Sequence, residues 1–439
     1  MRFKRASGIT PSEKVLADLC EASFLTLWSY PNLFKKQGKE LCDLLVIFGS
    51  DVIIFSDKSC AFKNTGNLTL DWVRWYRRSI ADSVHQLVQA ERWLRTYPSK
   101  VFLDAGCKDR LPLELPPSSS MRVHRVCVAL GATKRAEEEI GKRALKISTC
   151  ELEERFAIGK IVEAKGWVHL FDENNLPILL TELSTAADFL EYLKKKENLF
   201  DSGNFEYAES ELDLMAYFLW NGREFPIPAD RFKLDPDLGE KVEADPQFLA
   251  AREENKISLF WDRLIQTFTD HYLKETLETG NEISVQHYER AVRTMAAENR
   301  FHRRVLTKCV LERSETAKKG YVGSILPSLQ PETHYVLLIG PGNDDNYVSY
   351  RKARSEQLYA RCIASKAAQP ATRFIVGIAL DARGVKGSSE DLIFIDTVDW
   401  SEQRLAEADK LRHELGYFVD GKAKKSRVVE DEYPEIKSS

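Results

Sequence analysis

Apolar residues recur at helical spacing across residues 11–29 (PSEKVLADLCEASFLTLWS), and Ser12 reads as the cap of that helix. A Pro31-containing turn and a short basic loop are expected next. Two compact apolar runs follow, ELCDLLVIF and DVIIFSDK, separated by Gly49-Ser50. Short β-branched runs around a two-residue, Gly-containing turn predict a β-hairpin. Residues 70–96 carry Trp72, Trp75, Ile80, Val84, Leu87 and Trp93 on one stripe and predict a long amphipathic helix. After the Pro/Ser-rich LELPPSSS, the run MRVHRVCVAL predicts another strand.

The middle of the chain opens on a strand-like GWVHLFD, in which His169 reads as a packed strand residue. A turn at Glu173-Asn174-Asn175 leads into the apolar PILLTELS and a helix, TAADFLEYLKKKENLF. Residues 246–319 read as largely helical. Beyond them HYVLLIG, RFIVGIALD and DLIFID predict strands, with helices over NYVSYRKARSEQLYARCIASKA and SEQRLAEADKLRHELGYF. The charged tail is expected to fray. The pattern gives an α/β (α+β) protein in four parts. These are an N-terminal mixed sheet flanked by helices (1–135), a mixed and helical middle (136–325), a C-terminal α/β segment (326–420) and the tail (421–439).

Charge narrows the function classes. A formal net charge of -4 over 439 residues excludes a uniformly basic coat, so any nucleic-acid binding must use local patches. Residues 181–260 hold 18 Asp and Glu against 9 Lys and Arg, which argues against a DNA-facing surface there. The eight cysteines form no CxxC pair, and several sit in apolar runs, as buried free thiols of a reducing compartment do. No apolar run reaches the roughly 18 residues of a membrane span. A cytoplasmic protein is expected.

The candidate chemistry lies in the hairpin. Asp43 interrupts an otherwise apolar strand, and the second strand ends in Ser56-Asp57-Lys58. A charge in a buried strand is expensive without a partner or a metal. If Gly49 and Ser50 are the loop, Phe48 faces Asp51 and Asp43 faces Ser56. Lys58, two residues on, then shares their face and Asp57 points away. A three-residue loop would instead face Asp43 with Asp57. Hydrolysis of a phosphodiester needs oxygen ligands for a hard cation and a positive group beside the attacking water; carboxylate and ammonium together supply both.

At these residues the sequence resembles the PD-(D/E)XK nuclease superfamily, which includes restriction enzymes and the Mrr and RecB groups. The shared order is helix, Asp-bearing strand, strand with an acid-spacer-Lys motif, helix. The resemblance covers about residues 10–130 and implies a restriction-endonuclease-like fold. It implies Asp43 as ligand of Mg²⁺ or Mn²⁺, and Lys58 as the residue orienting water and phosphate. Gln86 corresponds to the Gln of the RecB-type helix. Ser56 stands where the family has Glu or Asp, so Glu40 or Asp57 is expected to complete the metal site, with Glu21 of the first helix as a further carboxylate. The string GKELCDLLVIFGSDVIIFSDK is also similar to that of bacterial proteins of comparable length, some serving in phage defence.

Arg74, Arg77 and Arg78, interleaved with Trp75, suit backbone phosphates and base stacking, or else a solvated basic helix face. A second basic run, Arg290 to Arg304, reads as structural. Asp381, Glu390, Asp391 and Asp396 follow apolar strands, where acids are common, and IGPGND lacks the further glycines and Lys of a nucleotide loop. The expected activity is metal-dependent cleavage of DNA or RNA, gated by the remaining two thirds of the chain. A short prokaryotic Argonaute is one candidate protein partner, and assembly into an oligomer on activation another expectation. The alternative is a non-catalytic nucleic-acid- or protein-binding module on a decayed nuclease fold, which the Ser at position 56 favours.

Overall fold

The computed structural model describes residues 3, 6–149, 154–159, 161, 167–277, 282–342, 346–385, 389–419 and 428–434. Cys150 and most of the tail lie outside them. The chain divides into two compact units, Met1–Leu249 with Leu273–Asn281, and Ala250–Tyr272 with Glu282–Ser439. Both are mixed α/β, as the hydrophobic pattern predicts.

The first unit begins with α1 (Pro11–Phe24), β1 (Ser29–Lys36), β2 (Lys39–Phe48) and β3 (Asp51–Ser59). The cap of α1 is Thr10 rather than Ser12: its hydroxyl accepts from Glu13 N–H while Glu13 reaches back to the cap, a capping box. The turn and loop expected around Pro31 are instead strand β1. Of the named strands it pairs with β2, at the sheet edge, with a single further bridge from Phe34 to Phe102, and there proline's missing N–H costs no ladder bond. Leu68–Thr96 is helical throughout, as α2 (Leu68–Tyr76), a π-turn at Arg77–Ala81 and α3 (Asp82–Thr96). Then follow β4 (Arg122–Leu130), α4 (Thr133–Ile140), β5 (Lys146–Ser148), β6 (Ala157–Ile158) and β7 (Val168–Phe171). The unit continues with α5 (Asn175–Glu182), α6 (Ala186–Asp201), β8 (Tyr207–Ala208), α7 (Glu211–Trp220) and α8 (Leu238–Ala244). The apolar PILLTE run forms most of α5.

The main sheet has the order β1-β2-β3-β4-β7, antiparallel from β1 to β3 and parallel from β3 to β7. Its fifth strand lies beyond the boundary expected at residue 135, so the sheet outruns that segment. Helices cover both faces. Phe55 meets Phe24 of α1 (ring centroids 6.5 Å apart), while its neighbour Ser56 meets Ser83 of α3, and adjacent strand residues point oppositely. A small second sheet has the order β6-β5-β8.

The boundary between the units falls within α9 (Pro246–Asn255) and α10 (Leu259–Lys274). The second unit goes on with α11 (Val285–Ala296), α12 (Arg300–Thr316), β9 (Val322–Pro327), β10 (Thr333–Gly340), α13 (Tyr347–Ala368), β11 (Phe374–Asp381), β12 (Asp391–Asp396) and α14 (Glu402–Leu415). Its sheet runs β12-β11-β10-β9, with β10 and β11 parallel and α13 the crossover between them. Leu358 and Cys362 of α13 pack on Val336, Leu338, Ile375 and Ala379. Gly377 permits that approach, since a Cβ there would sit 2.5 Å from Cys362 Sγ.

The charges of this unit are structural. Arg300 and Arg303 are buried against Asp262, Arg300 at 2.6 Å. The strand-end acids close on arginines: Asp381 and Asp391 on Arg354, and Asp396 on Arg290 (2.7 Å) and Arg373 (3.2 Å). Residues 428–434 of the tail, expected to fray, are held by Arg304, which donates to backbone carbonyls of Asp431 and Glu432, and by a 2.7 Å pair of Lys308 with Glu430.

Candidate metal-binding cleft

The hairpin register is the one a Gly49-Ser50 loop dictates: Phe48 pairs with Asp51 and Leu44 with Phe55. Gly49 takes φ 63°, a left-handed conformation that favours glycine. The backbone ladder stops at Leu44 and Phe55. There the Asp43 carboxylate substitutes for it, accepting the Asp57 backbone N–H at 2.5 Å. The two strands are thus tied by a side chain where they begin to part, and a cleft opens of about 200 Å³.

Asp43, Ser56, Lys58, Glu40 and Gln86 all line this cleft. Lys35 and Gln89 line it too and were not anticipated. Ser56 is buried, and its hydroxyl lies 3.3 Å from both Gln86 Oε1 and Ser83 Oγ. Helix α3 therefore occupies that hydroxyl. Lys58 makes no ion pair among the described residues, so the Asp43 carboxylate and the Lys58 ammonium share the cleft without closing on each other.

Asp57 does not line the cleft; it lies on the α1 face, as the register requires. Both its oxygens are buried without a well-formed hydrogen bond. Burial raises its pKa, the Ser12 hydroxyl offsets part of that, and the charge of Glu13 adds to it. Nothing brings Glu21 into the cleft; it is exposed on α1. The α1 acid that bears on the site is Glu13. Asn32 stands opposite Asp43 in the β1–β2 ladder and donates through Nδ2 to Glu13 (2.9 Å) and to Glu40 (3.1 Å). Its own Oδ1 is buried without a partner. The Thr10-x-x-Glu13 spacing signals a cap, but nothing local signals that the cap faces the hairpin.

This oxygen-rich surround sets the electrostatics. Burial pushes the Asp43 carboxyl up to about 7; the Asp57 N–H opposes this, Glu40 and Glu13 reinforce it, and Lys58 offsets part. A half-buried acid beside two more carboxylates, an orphaned amide oxygen and no thiolate suits a hard divalent cation. Ionising Asp43 without one destabilises the fold. Its native pKa of about 7 exceeds the ordinary 3.8, so the native state holds the proton more tightly than the unfolded chain. The contribution of Asp43 to metal-free stability is then greatest below pH 3.8 and declines up to about pH 7. Asp43→Asn keeps an acceptor for the Asp57 N–H and removes the charge. In chelator at pH 8 it should be more stable than wild type by about 2 kcal/mol, discounted for remaining solvent contact. Near pH 4 the two should be equal. Urea denaturation at both pH values measures this, and equal stability at pH 8 would show that Asp43 is not under this strain.

Trp75 is not available to stack on bases. It is buried, stacks on Trp72 (5.4 Å), and its indole N–H donates to the carbonyls of Cys60 and Leu130. Trp72 and Trp75 are core, while Trp93 is only partly buried. Arg74, Arg77 and Arg78 are exposed. Of these, Arg78 lines an open groove shared with Lys58, Gln86, Asp82 and His85 that adjoins the cleft.

Comparison with protein-family models, with curated proteins and with solved structures finds no match to the chain. Among the described residues no helix is long and apolar enough to cross a membrane, and no cysteine is in a disulfide.

Proposed function

We propose that the chain is a metal-dependent nuclease that hydrolyses DNA or RNA phosphodiester bonds at the cleft between β2, β3 and α3. The observation that carries this is the unpaired juxtaposition of Asp43 and Lys58 in a cleft ringed by oxygen donors. It supports the reading drawn from the PD-(D/E)XK resemblance over a simple structural ion pair.

Asp43, with Glu40, would hold Mg²⁺ or Mn²⁺. Such a cation supplies an acidified water and neutralises charge on the phosphate. Lys58 orients the attacking water and stabilises negative charge on the scissile phosphate. Gln86, fixed near Ser56, positions the polar wall of the cleft. Arg78 receives the nucleic-acid backbone in the adjoining groove, with Arg77 beside it in the π-turn. Labelled single- and double-stranded DNA and RNA, incubated with Mg²⁺ or Mn²⁺, test the reading. Cleavage should need the metal, Asp43 and Lys58, and cleavage undiminished in Asp43→Ala would refute the assignment.

Arg78→Ala should raise KM about tenfold with little change in kcat, and reduce the salt dependence of binding by about one phosphate contact. Steady-state kinetics at two ionic strengths check this; a loss confined to kcat would place Arg78 elsewhere in the reaction.

One observation favours a second reading, a non-catalytic binding module: the Ser56 hydroxyl, at the position of the family's acid, is engaged by α3. A Mn²⁺ titration separates the two, since a decayed site should bind Mn²⁺ weakly or not at all. On either reading the second unit is proposed as the regulatory or partner-binding part. A short prokaryotic Argonaute is the candidate partner, and co-purification with a guide-loaded one tests it.

A further inference from the structure

Away from the cleft, the first unit gathers two histidines and a carboxylate from three elements. His124 lies on β4, His169 on β7 and Glu197 on α6, and one ligand atom from each lies within 4.8 Å of the others. The ladder pairs His169 with Val126, so His124, two residues earlier, shares its face of the sheet. Glu197 comes down on them from α6. Its Oε1 is 2.9 Å from His169 Nε2 and 3.5 Å from His124 Nδ1. Both imidazoles are almost fully buried, at 3% and 2% exposure, while Glu197 keeps a path to solvent.

Closing this arrangement takes a positive charge between the acids. His124 Nε2 is 3.0 Å from Asp51 Oδ1, and Asp51 is also bonded by Lys194 (2.9 Å) and Arg122 (3.1 Å). A twice-paired, ionised Asp51 takes the Nε2 proton. In a neutral ring that leaves the Nδ1 lone pair facing the Glu197 carboxylate. Nδ1 is indeed buried without a hydrogen bond. Set between Asp51 and Glu197, the ring needs a positive charge at Nδ1, supplied either by a second proton, which the two carboxylates favour, or by a metal cation in its place. Ligands about 2.0–2.1 Å from a tetrahedral Zn²⁺ stand about 3.3–3.4 Å apart, close to the 3.5 Å between His124 Nδ1 and Glu197; the 2.9 Å between His169 Nε2 and Glu197 is a hydrogen-bond distance that would open on metal binding. A ligating histidine whose other nitrogen is held by a carboxylate is also the usual outer shell of zinc sites.

We propose that His124 Nδ1, His169 Nε2 and Glu197 form a site for a zinc-type divalent transition ion that pins α6 to the β4–β7 edge of the sheet. A water from the Glu197 side completes its coordination. The donors are largely nitrogen, so Mg²⁺ does not compete. The site is separate from the cleft: Asp51 and Lys58 are seven residues apart on β3, about 23 Å of extended strand. The inference does not depend on nuclease activity.

The test uses the full chain, stripped with chelator and dialysed against Zn²⁺ or Co²⁺. Wild type should retain about one equivalent of Zn²⁺ in Mg²⁺ buffer and show Co²⁺ visible bands of a four- or five-coordinate site. Its melting temperature should fall on chelation. His169→Gln and Glu197→Gln should bind at least about tenfold more weakly, and Asp43→Asn should bind like wild type. Should a variant fail to fold, the wild-type Co²⁺ spectrum and chelator-dependent melting still decide. No tight Zn²⁺ uptake by wild type, with melting indifferent to chelator, would overturn the proposal in favour of a protonated His124 bridging the two acids. Equal Zn²⁺ in wild type and both site variants would also overturn it, placing the ion on other groups such as the cysteines.

Discussion

On the proposed nuclease reading, Lys58→Ala should cleave at least about 10²–10³-fold more slowly than wild type, bind Mn²⁺ with similar affinity, and be as stable as wild type within about 0.5 kcal/mol. These three results follow from one geometry. Lys58 lines the cleft but closes on no carboxylate, so its removal breaks no ion pair and withdraws only its partial offset of the Asp43 charge. A preorganised cation aimed at developing phosphate charge acts in the transition state, and its loss falls on kcat. Asp43→Ala should differ, losing Mn²⁺ binding together with cleavage. The measurements are single-turnover cleavage, Mn²⁺ titration and urea denaturation on the same preparations. A Lys58→Ala protein that cleaves normally would end the catalytic assignment. One destabilised by more than about 2 kcal/mol would return Lys58 to a structural role.

The largest effect on stability is expected in the second unit. Arg354 is fully buried in α13; its guanidinium pairs with Asp381 at the end of β11 and donates to Asp391 of β12 at 2.8 and 3.0 Å and to Ser389 at 2.8 Å. Tyr350 donates to the same Asp381 carboxylate at 2.6 Å. Arg354→Ala removes the cation shared by two carboxylates and strands Asp381 where water reaches it poorly. Breaking one partner of a buried pair costs about 3–5 kcal/mol; here Asp381 loses its arginine, while Asp391 keeps Arg351 at 3.2 Å. The variant should lose secondary structure at markedly lower urea. Arg354→Ala combined with Asp381→Asn and Asp391→Asn should recover part of the loss, because the penalty is the uncompensated charge rather than the missing bonds. A single Arg354→Ala within 1 kcal/mol of wild type would show that water reaches these acids after all.

Those acids also show why strand-end carboxylates are poor guides to chemistry. Asp381 and Asp391 occupy the same sequence context as Asp43 and Asp57, an acid at the margin of an apolar strand. What separates them is the facing element. Helix α13 brings an arginine to the first pair, whereas β1 and α1 bring Asn32 and more carboxylates towards Asp43. The pKa of about 7 at Asp43 is a product of those neighbours and of burial.

The sequence by itself determined what is local. A two-residue loop and a period of two set the hairpin register, so Asp43, Ser56 and Lys58 on one face and Asp57 on the other could be read from the chain. Periodicity likewise located the helix expected over 70–96 and, in the C-terminal α/β part, β10 to β12, α13 and α14 but not β9, because short-range backbone geometry dictates those spacings. Only tertiary structure decided which side chains meet. Trp75 belongs to the core because Trp72 and two distant carbonyls cover it. Glu13 replaces Glu21 because the capped first turn of α1, not its last, reaches the hairpin. β1 is a strand despite Pro31 because it lies at a sheet edge. His124, His169 and Glu197, up to 73 residues apart, come together because β7 joins the sheet beside β4 and α6 packs over both. Such meetings are fixed by the burial of whole faces, a property of the assembled layers that no short window of sequence contains.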